Sequence, residues 1–198
     1  MRVESGELKD KDKDKCKDKD KDKDKCRVFN SQLSILNSQL FLNGRITIRD
    51  TIEGDVAFVV RRLAPECLID MENIINSGAD VFEFTELVYS LSDVCLTVEF
   101  DGVPVLICGI IQAYPDRLDV GFFFMIFTDR LREHAIIVAR HFKGVFMDLI
   151  KNCKYPLVIS AIHIDNRQSF KLAASLNGVF DWPRSGDKYL TVEWVKRA

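Results

Sequence analysis

The sequence predicts one α/β domain behind a charged tail, and three stretches carry that reading. Val94 to Phe100 and Val103 to Ile111 are β-branched runs joined by Asp101-Gly102, a strong two-residue hairpin signal. Arg130 to Lys151 places Leu131, Ala135, Val138, Phe142, Val145, Phe146 and Leu149 at spacings of three and four, the stripe of an amphipathic helix. Pro156 to Ile164 is a continuous apolar run, as expected of a strand covered on both faces.

The remaining elements follow in chain order. Lys9 to Arg27 is almost pure Lys–Asp alternation, broken by Cys16 and Cys26. It has no apolar area to offset chain entropy, so residues 1–44 are expected to be a disordered tail. Asn30-Ser31-Gln32-Leu33 recurs as Asn37-Ser38-Gln39-Leu40, too few copies for a coiled coil. The domain spans 45–198. Ala57 to Leu63 reads as a first strand. Pro65 opens a helix to about Asn76, with Leu68, Met71, Ile74 and Ile75 on one face, and Ser77-Gly78 stops it. A short helix covers Phe82 to Leu91. After the hairpin comes a third long strand, Leu118 to Thr128. Beyond Ile164 a short helix runs from Asn166 to Leu176, then strands near Val179 to Trp182 and Tyr189 to Val195.

Composition narrows the class. The 198 residues carry 28 basic and 30 acidic side chains, so no field of one sign recommends a nucleic-acid or membrane partner, and neither is expected. Each apolar run is interrupted by charge before membrane-spanning length. A cytoplasmic protein is expected. The six cysteines show no close ligand spacing, and His134 and His141 lie two helical turns apart, so no metal is expected. With Phe100 opposite Val103, Cys95 falls opposite Cys108; the expectation is two free thiols packed as small apolar groups.

The specific residues come late in the chain. A strand ends in Ile162-His163-Ile164-Asp165-Asn166, Asn166-Arg167-Gln168-Ser169 opens a helix, and Leu176-Asn177-Gly178-Val179-Phe180 closes it. The aromatic strand Phe122-Phe123-Phe124-Met125-Ile126-Phe127 ends in Thr128-Asp129 before the long helix. From Leu118 to Trp182 the chain resembles the GNAT acyltransferases, most closely the GNAT-like proteins of tailed phages and prophages. The resemblance implies a mixed, mostly antiparallel sheet flanked by helices. It implies acyl-CoA-dependent N-acyl transfer, most simply from acetyl-CoA to an amine. The alternative it carries is a non-catalytic phage or prophage protein with a virion or assembly role.

The resemblance also assigns residues. The pantetheine arm would borrow backbone bonds from Phe124, Met125, Ile126 and Phe127. The pyrophosphate would sit on the N–H groups at the start of the long helix, beside Arg130, Leu131 and Arg132. Asn166 and Ser169 would complete the cofactor site, and Glu99, Glu133 and His163 are the candidate bases. Two departures stand out. The helix start, Thr128 to His134, has none of the glycines that let backbone approach phosphate, and Asp129 is a sensible N-cap there. Ala173 stands where the family tends to place a Tyr. Plain structural readings compete at each position: the phenylalanines as packing, Asn166 as an N-cap, Ser169 as a small residue at a close contact, His163 as a satisfied interior side chain.

Overall fold

A computed structural model describes residues 45–182 and 186–196, without the side chains of 135 and 136. The expectation for the 1–44 tail and the place of Ala135 on the helix stripe lie outside the described residues.

Seven strands form one sheet in the order β1-β2-β3-β4-β5-β7-β6. They are β1 (Ile46–Asp50), β2 (Val94–Phe100), β3 (Val103–Tyr114), β4 (Arg117–Phe127), β5 (Leu157–His163), β6 (Val179–Asp181) and β7 (Tyr189–Val195). Among the described residues only β4 and β5 pair in parallel. The helices are α1 (Glu53–Val60), α2 (Pro65–Asp70), α3 (Glu72–Asn76), α4 (Val81–Leu91), α5 (Leu131–Asn152) and α6 (Arg167–Ser175). This is the mixed, mostly antiparallel sheet flanked by helices that the sequence led us to expect.

The two faces of the sheet are built from alternate residues. Leu106, Cys108 and Ile110 of β3 face α5, whose Val138, Phe142, Phe146 and Leu149 are buried. Phe146 meets Phe123 and Trp194 edge-on at 5.0 and 5.1 Å between ring centroids, a favourable aromatic arrangement. Ile107 and Ile126 point the other way, onto Val56 and Val59 of α1.

Four expectations need correction. Ala57 to Leu63 is no strand; it lies in and after α1, because a short apolar run suits a buried helix as well as a strand. Asp55 starts that helix by accepting the Ile52 N–H at 3.0 Å. The first strand is instead Ile46–Asp50, with Ile46 and Ile48 buried. The helix from Pro65 breaks at Met71, whose φ of −93° and ψ of 8° leave the helical region. On β5, Ala161 is exposed and Ser160 half-buried, so the strand is not covered on both faces.

The fourth correction is the hairpin register. Asp101 and Gly102 both have positive φ, as a type I′ turn requires, and Phe100 pairs with Val103. The ladder then slips between Glu99↔Pro104 and Val98↔Leu106. Pro104 has no N–H to donate, and prolines within sheets collect at such bulges. Cys95 therefore faces Gly109, while Cys108 faces Leu96. A one-residue slip moves a side chain to the opposite face. Cys95 packs with the α1 cluster and Cys108 with the α5 cluster, and both are free thiols as expected.

Gly109 is held by close contacts. A Cβ there would lie 2.5 Å from the Val94 carbonyl oxygen and 2.8 Å from the Phe124 ring. The ring could move, but the backbone oxygen belongs to the β2–β3 ladder. Gly109→Ala should lower unfolding free energy by about 1–3 kcal/mol, read as a lower urea midpoint at unchanged m-value.

Candidate functional site

The site begins where β4 and β5 part. Their parallel pairing runs through Val120↔Leu157, Gly121↔Val158 and Phe122↔Ile159, and stops. β4 continues to Phe127 and β5 to His163 with no ladder between them. Strand alternation decides which peptide groups face the gap. The Thr128 N–H bonds Val105 O, so even-numbered residues in this half of β4 turn toward β3. Phe123, Met125 and Phe127 turn toward β5. On β5 the Ile164 N–H bonds Lys188 O, so Ala161 and His163 turn toward β4.

Helix α2 lies across the far end of the gap and caps both edges. The Phe127 carbonyl accepts the Ala64 N–H at 2.9 Å, and the Phe127 N–H points to Cys67 Sγ at 3.3 Å. The His163 N–H bonds Asp70 Oδ1 at 2.9 Å. The β4–β5 ladder stops short of Met125 and Ala161, whose peptide groups turn toward the gap. Burial pushes the Cys67 thiol up to about 12, so it is a neutral packing group at neutral pH.

Asp70 is the residue that sequence reasoning missed. Its Oδ2 accepts Asn166 Nδ2 at 2.8 Å and the Ser169 hydroxyl at 2.9 Å. Burial raises its carboxyl above the ordinary value, outweighing the bonds from His163, Ser169 and Asn166 that favour the ionised form. Nothing in the local pattern Cys-Leu-Ile-Asp-Met marks it. Only the approach of α2 to β5 and α6, about a hundred residues later, gives it a role.

Two cavities meet at α6. One of about 160 Å³ lies over the gap, lined by Asp70, Phe84, Met125, Ala161 and Ser169 among others. The second, of about 570 Å³, lies between α5 and α6 and is lined by Phe127, Leu131, Arg132, Phe142, Ser169 and Leu172 among others. Ser169 and Leu172 line both.

The sequence-selected residues divide accordingly. Phe124, Met125 and Ile126 line the smaller cavity, yet the peptide groups of Phe124 and Ile126 belong to the β3 ladder. Leu131 and Arg132 line the larger one, and the Arg132 guanidinium pairs with Glu66 at 2.5 Å. Arg130 is half-buried at the N-cap of α5 and makes no side-chain cap bond. Asp129, expected to cap, is exposed and sits one residue too early. Asn166 is 1% exposed with every polar side-chain atom engaged: Oδ1 accepts the Ser169 N–H, and Nδ2 donates to Glu66 O and Asp70.

The three candidate bases lie elsewhere. Glu99 is held by Arg49 at 2.6 Å, in a network where Arg49 also grips Asp55 with two bonds. Glu133 is exposed on α5. His163 is buried, but its Nδ1 accepts the Asp165 N–H and its Nε2 faces Glu72 Oε2 at 3.2 Å; it lines neither cavity. Among the described residues no group of three His, Cys, Asp or Glu side chains is placed to hold a metal ion.

No protein-family model matches the chain, and no curated protein does. Solved structures match its fold. An N-acetyltransferase from Staphylococcus aureus Mu50 superposes with a TM-score of 0.55 at 12% identity, over 76% of this chain and 98% of its own. A GNAT-family acetyltransferase from Streptococcus pneumoniae gives 0.51 at 11% identity, over 77% and 99%. RimL, a ribosomal-protein α-N-acetyltransferase in complex with coenzyme A, gives 0.51 at 9%, over 79% and 97%. The chain therefore has the GNAT acetyltransferase fold.

Asn166→Ala should cost about 1–3 kcal/mol, because it removes a helix cap and leaves Asp70 and the Glu66 carbonyl short of a donor. Urea unfolding reads this directly; an unchanged midpoint would mean that Asn166 carries no structural weight.

Proposed function

We propose that the chain is an acyl-CoA-dependent N-acyltransferase, most simply moving an acetyl group from acetyl-CoA to an amine. The observation that carries the reading is the open β4–β5 edge, with Met125 and Ala161 lining the smaller cavity and Ser169 and Leu172 shared with the larger one. A pantetheine arm is an extended chain of amides. Such a chain bonds a free strand edge as another strand would. The larger cavity is suited to the rest of the cofactor, with Arg132 at the start of α5 lining it and Arg130 at that helix's N-cap to attract pyrophosphate. The thioester would then reach through the gap toward the smaller cavity, where the amine enters. The acceptor's smallest requirement is a neutral, unhindered amine nitrogen.

A second reading is a non-catalytic phage or prophage protein with a virion or assembly role. Specific observations favour it: Phe127 is already satisfied by Ala64 and Cys67, the start of α5 has no Gly, and Ala173 offers no proton. A cytoplasmic or virion location follows the choice between the two. No helix among the described residues is long and apolar enough to cross a membrane.

Calorimetry with acetyl-CoA separates the readings. Saturable binding is expected, weakened by about 1–2 kcal/mol in Arg130→Ala and in Arg132→Ala, the range of a lost charge-assisted bond. Asp129→Gly should tighten it by removing a carboxylate from the helix start. No binding at millimolar acetyl-CoA would overturn the enzyme reading.

A further inference from the structure

We propose that Asp70 and Ser169 form a proton relay joining the two cavities: Asp70 takes the proton of the attacking amine, and Ser169 supplies one to the departing thiolate. The proposal rests on the acyltransferase reading above and names the groups that would carry its proton transfers.

Placement argues for it. Among the described residues, Asp70 is the one charged side chain lining the smaller cavity. Thr85, Ser160 and Ser169 are the hydroxyls lining it, and of these Ser169 alone also lines the larger cavity. Thr85 gives its proton to the Val81 carbonyl within its own helix. Ser169 gives its proton to Asp70 Oδ2 at 2.9 Å, so a route between the cavities already exists. Ala173, one turn further along α6, has nothing to donate.

The carboxylate has room for one more proton donor. A carboxylate offers about four acceptor positions. His163 N fills one on Oδ1, and Asn166 Nδ2 and Ser169 Oγ fill both on Oδ2. The position left on Oδ1 is the one assigned to the amine proton. The same three bonds fix the carboxylate plane, which orients a base without a solvent shell.

The steps balance. The amine nitrogen bonds the acyl carbon as the carbon–sulfur bond breaks and the electron pair leaves on sulfur. The amine proton goes to Asp70 Oδ1 and the Ser169 proton to sulfur; solvent then takes the Asp70 proton and reprotonates the Ser169 oxygen. Amine and thioester become amide and thiol, and both side chains return to their starting state.

Asp70 titrates among few charges. His163 on β5 favours its ionised form. Glu66 lies on its own helix, with the neutral Cys67, and Glu72 follows on α3. Helix α6 presents the neutral Asn166 and Ser169, and β4 presents apolar side chains. Burial raises the Asp70 carboxyl toward a working base. The base acts when deprotonated, so the rate should climb as pH rises through that raised value and then level off.

The test uses the full chain, acetyl-CoA, and aniline as the probe amine, chosen for the apolar lining of the smaller cavity and because its nitrogen is uncharged through the neutral pH range. Calorimetry comes first: absence of acetyl-CoA binding removes the acyltransferase reading itself. Release of CoA thiol is then followed against pH. The expected result is a kcat lower by about 100-fold in Asp70→Asn and about 10-fold in Ser169→Ala, with KM for acetyl-CoA within about threefold. Ser169→Cys, which keeps a proton donor, should recover most of the loss. The rising pH limb should vanish in Asp70→Asn and persist in Asp70→Glu, which also serves if the Asn variant fails to fold. Overturning results are a wild type that binds acetyl-CoA but releases thiol no faster than buffer, or variants whose kcat and pH limb match the wild type.

Discussion

The architecture turns on two parallel strands that separate after pairing at Phe122 and Ile159. A strand edge inside a protein is costly, because each buried peptide group needs a partner. The chain meets that cost at the far end of the gap, where Ala64 and Cys67 satisfy Phe127 and Asp70 satisfies His163. Between that end and the last paired residues, Met125 and Ala161 turn their peptide groups toward the gap. A ligand that offers amides in extended form would satisfy both.

Helix α2 is the piece that makes this arrangement hold. It spans six residues and joins four elements distant in sequence. Through Cys67 it touches β4, through Asp70 it touches β5 and α6, and through Glu66 it holds Arg132 at the start of α5. One helix thus sets the width of the gap, orients Ser169 and occupies the nearest cation to the proposed pyrophosphate position. An anion at Arg132 would have to compete with Glu66.

What was legible in the sequence follows the range of the interaction. The hairpin turn, the stripe of α5, the cap at Asn166 and the limits of β7 are local patterns, and each was readable. Ala57 to Leu63 was not, because burial erases the periodicity that separates a short helix from a strand. The Cys95–Cys108 pairing failed through one bulge, since Pro104 removes a ladder donor that residue counting assumes. Of the candidate site, the resemblance pointed to the strand end and helix start whose residues line the two cavities. Asp70 was not, because its neighbours lie 93 to 99 residues away. Glu99 looked available for chemistry only until Arg49, fifty residues earlier, was brought against it.

The most direct measurement is a crystal structure of the protein grown with coenzyme A. The account predicts the pantetheine arm between β4 and β5, with its amides on the peptide groups of Met125 and its diphosphate at the start of α5. A continuous β4–β5 ladder reaching Phe127 and His163, or coenzyme A bound away from this gap, would contradict it.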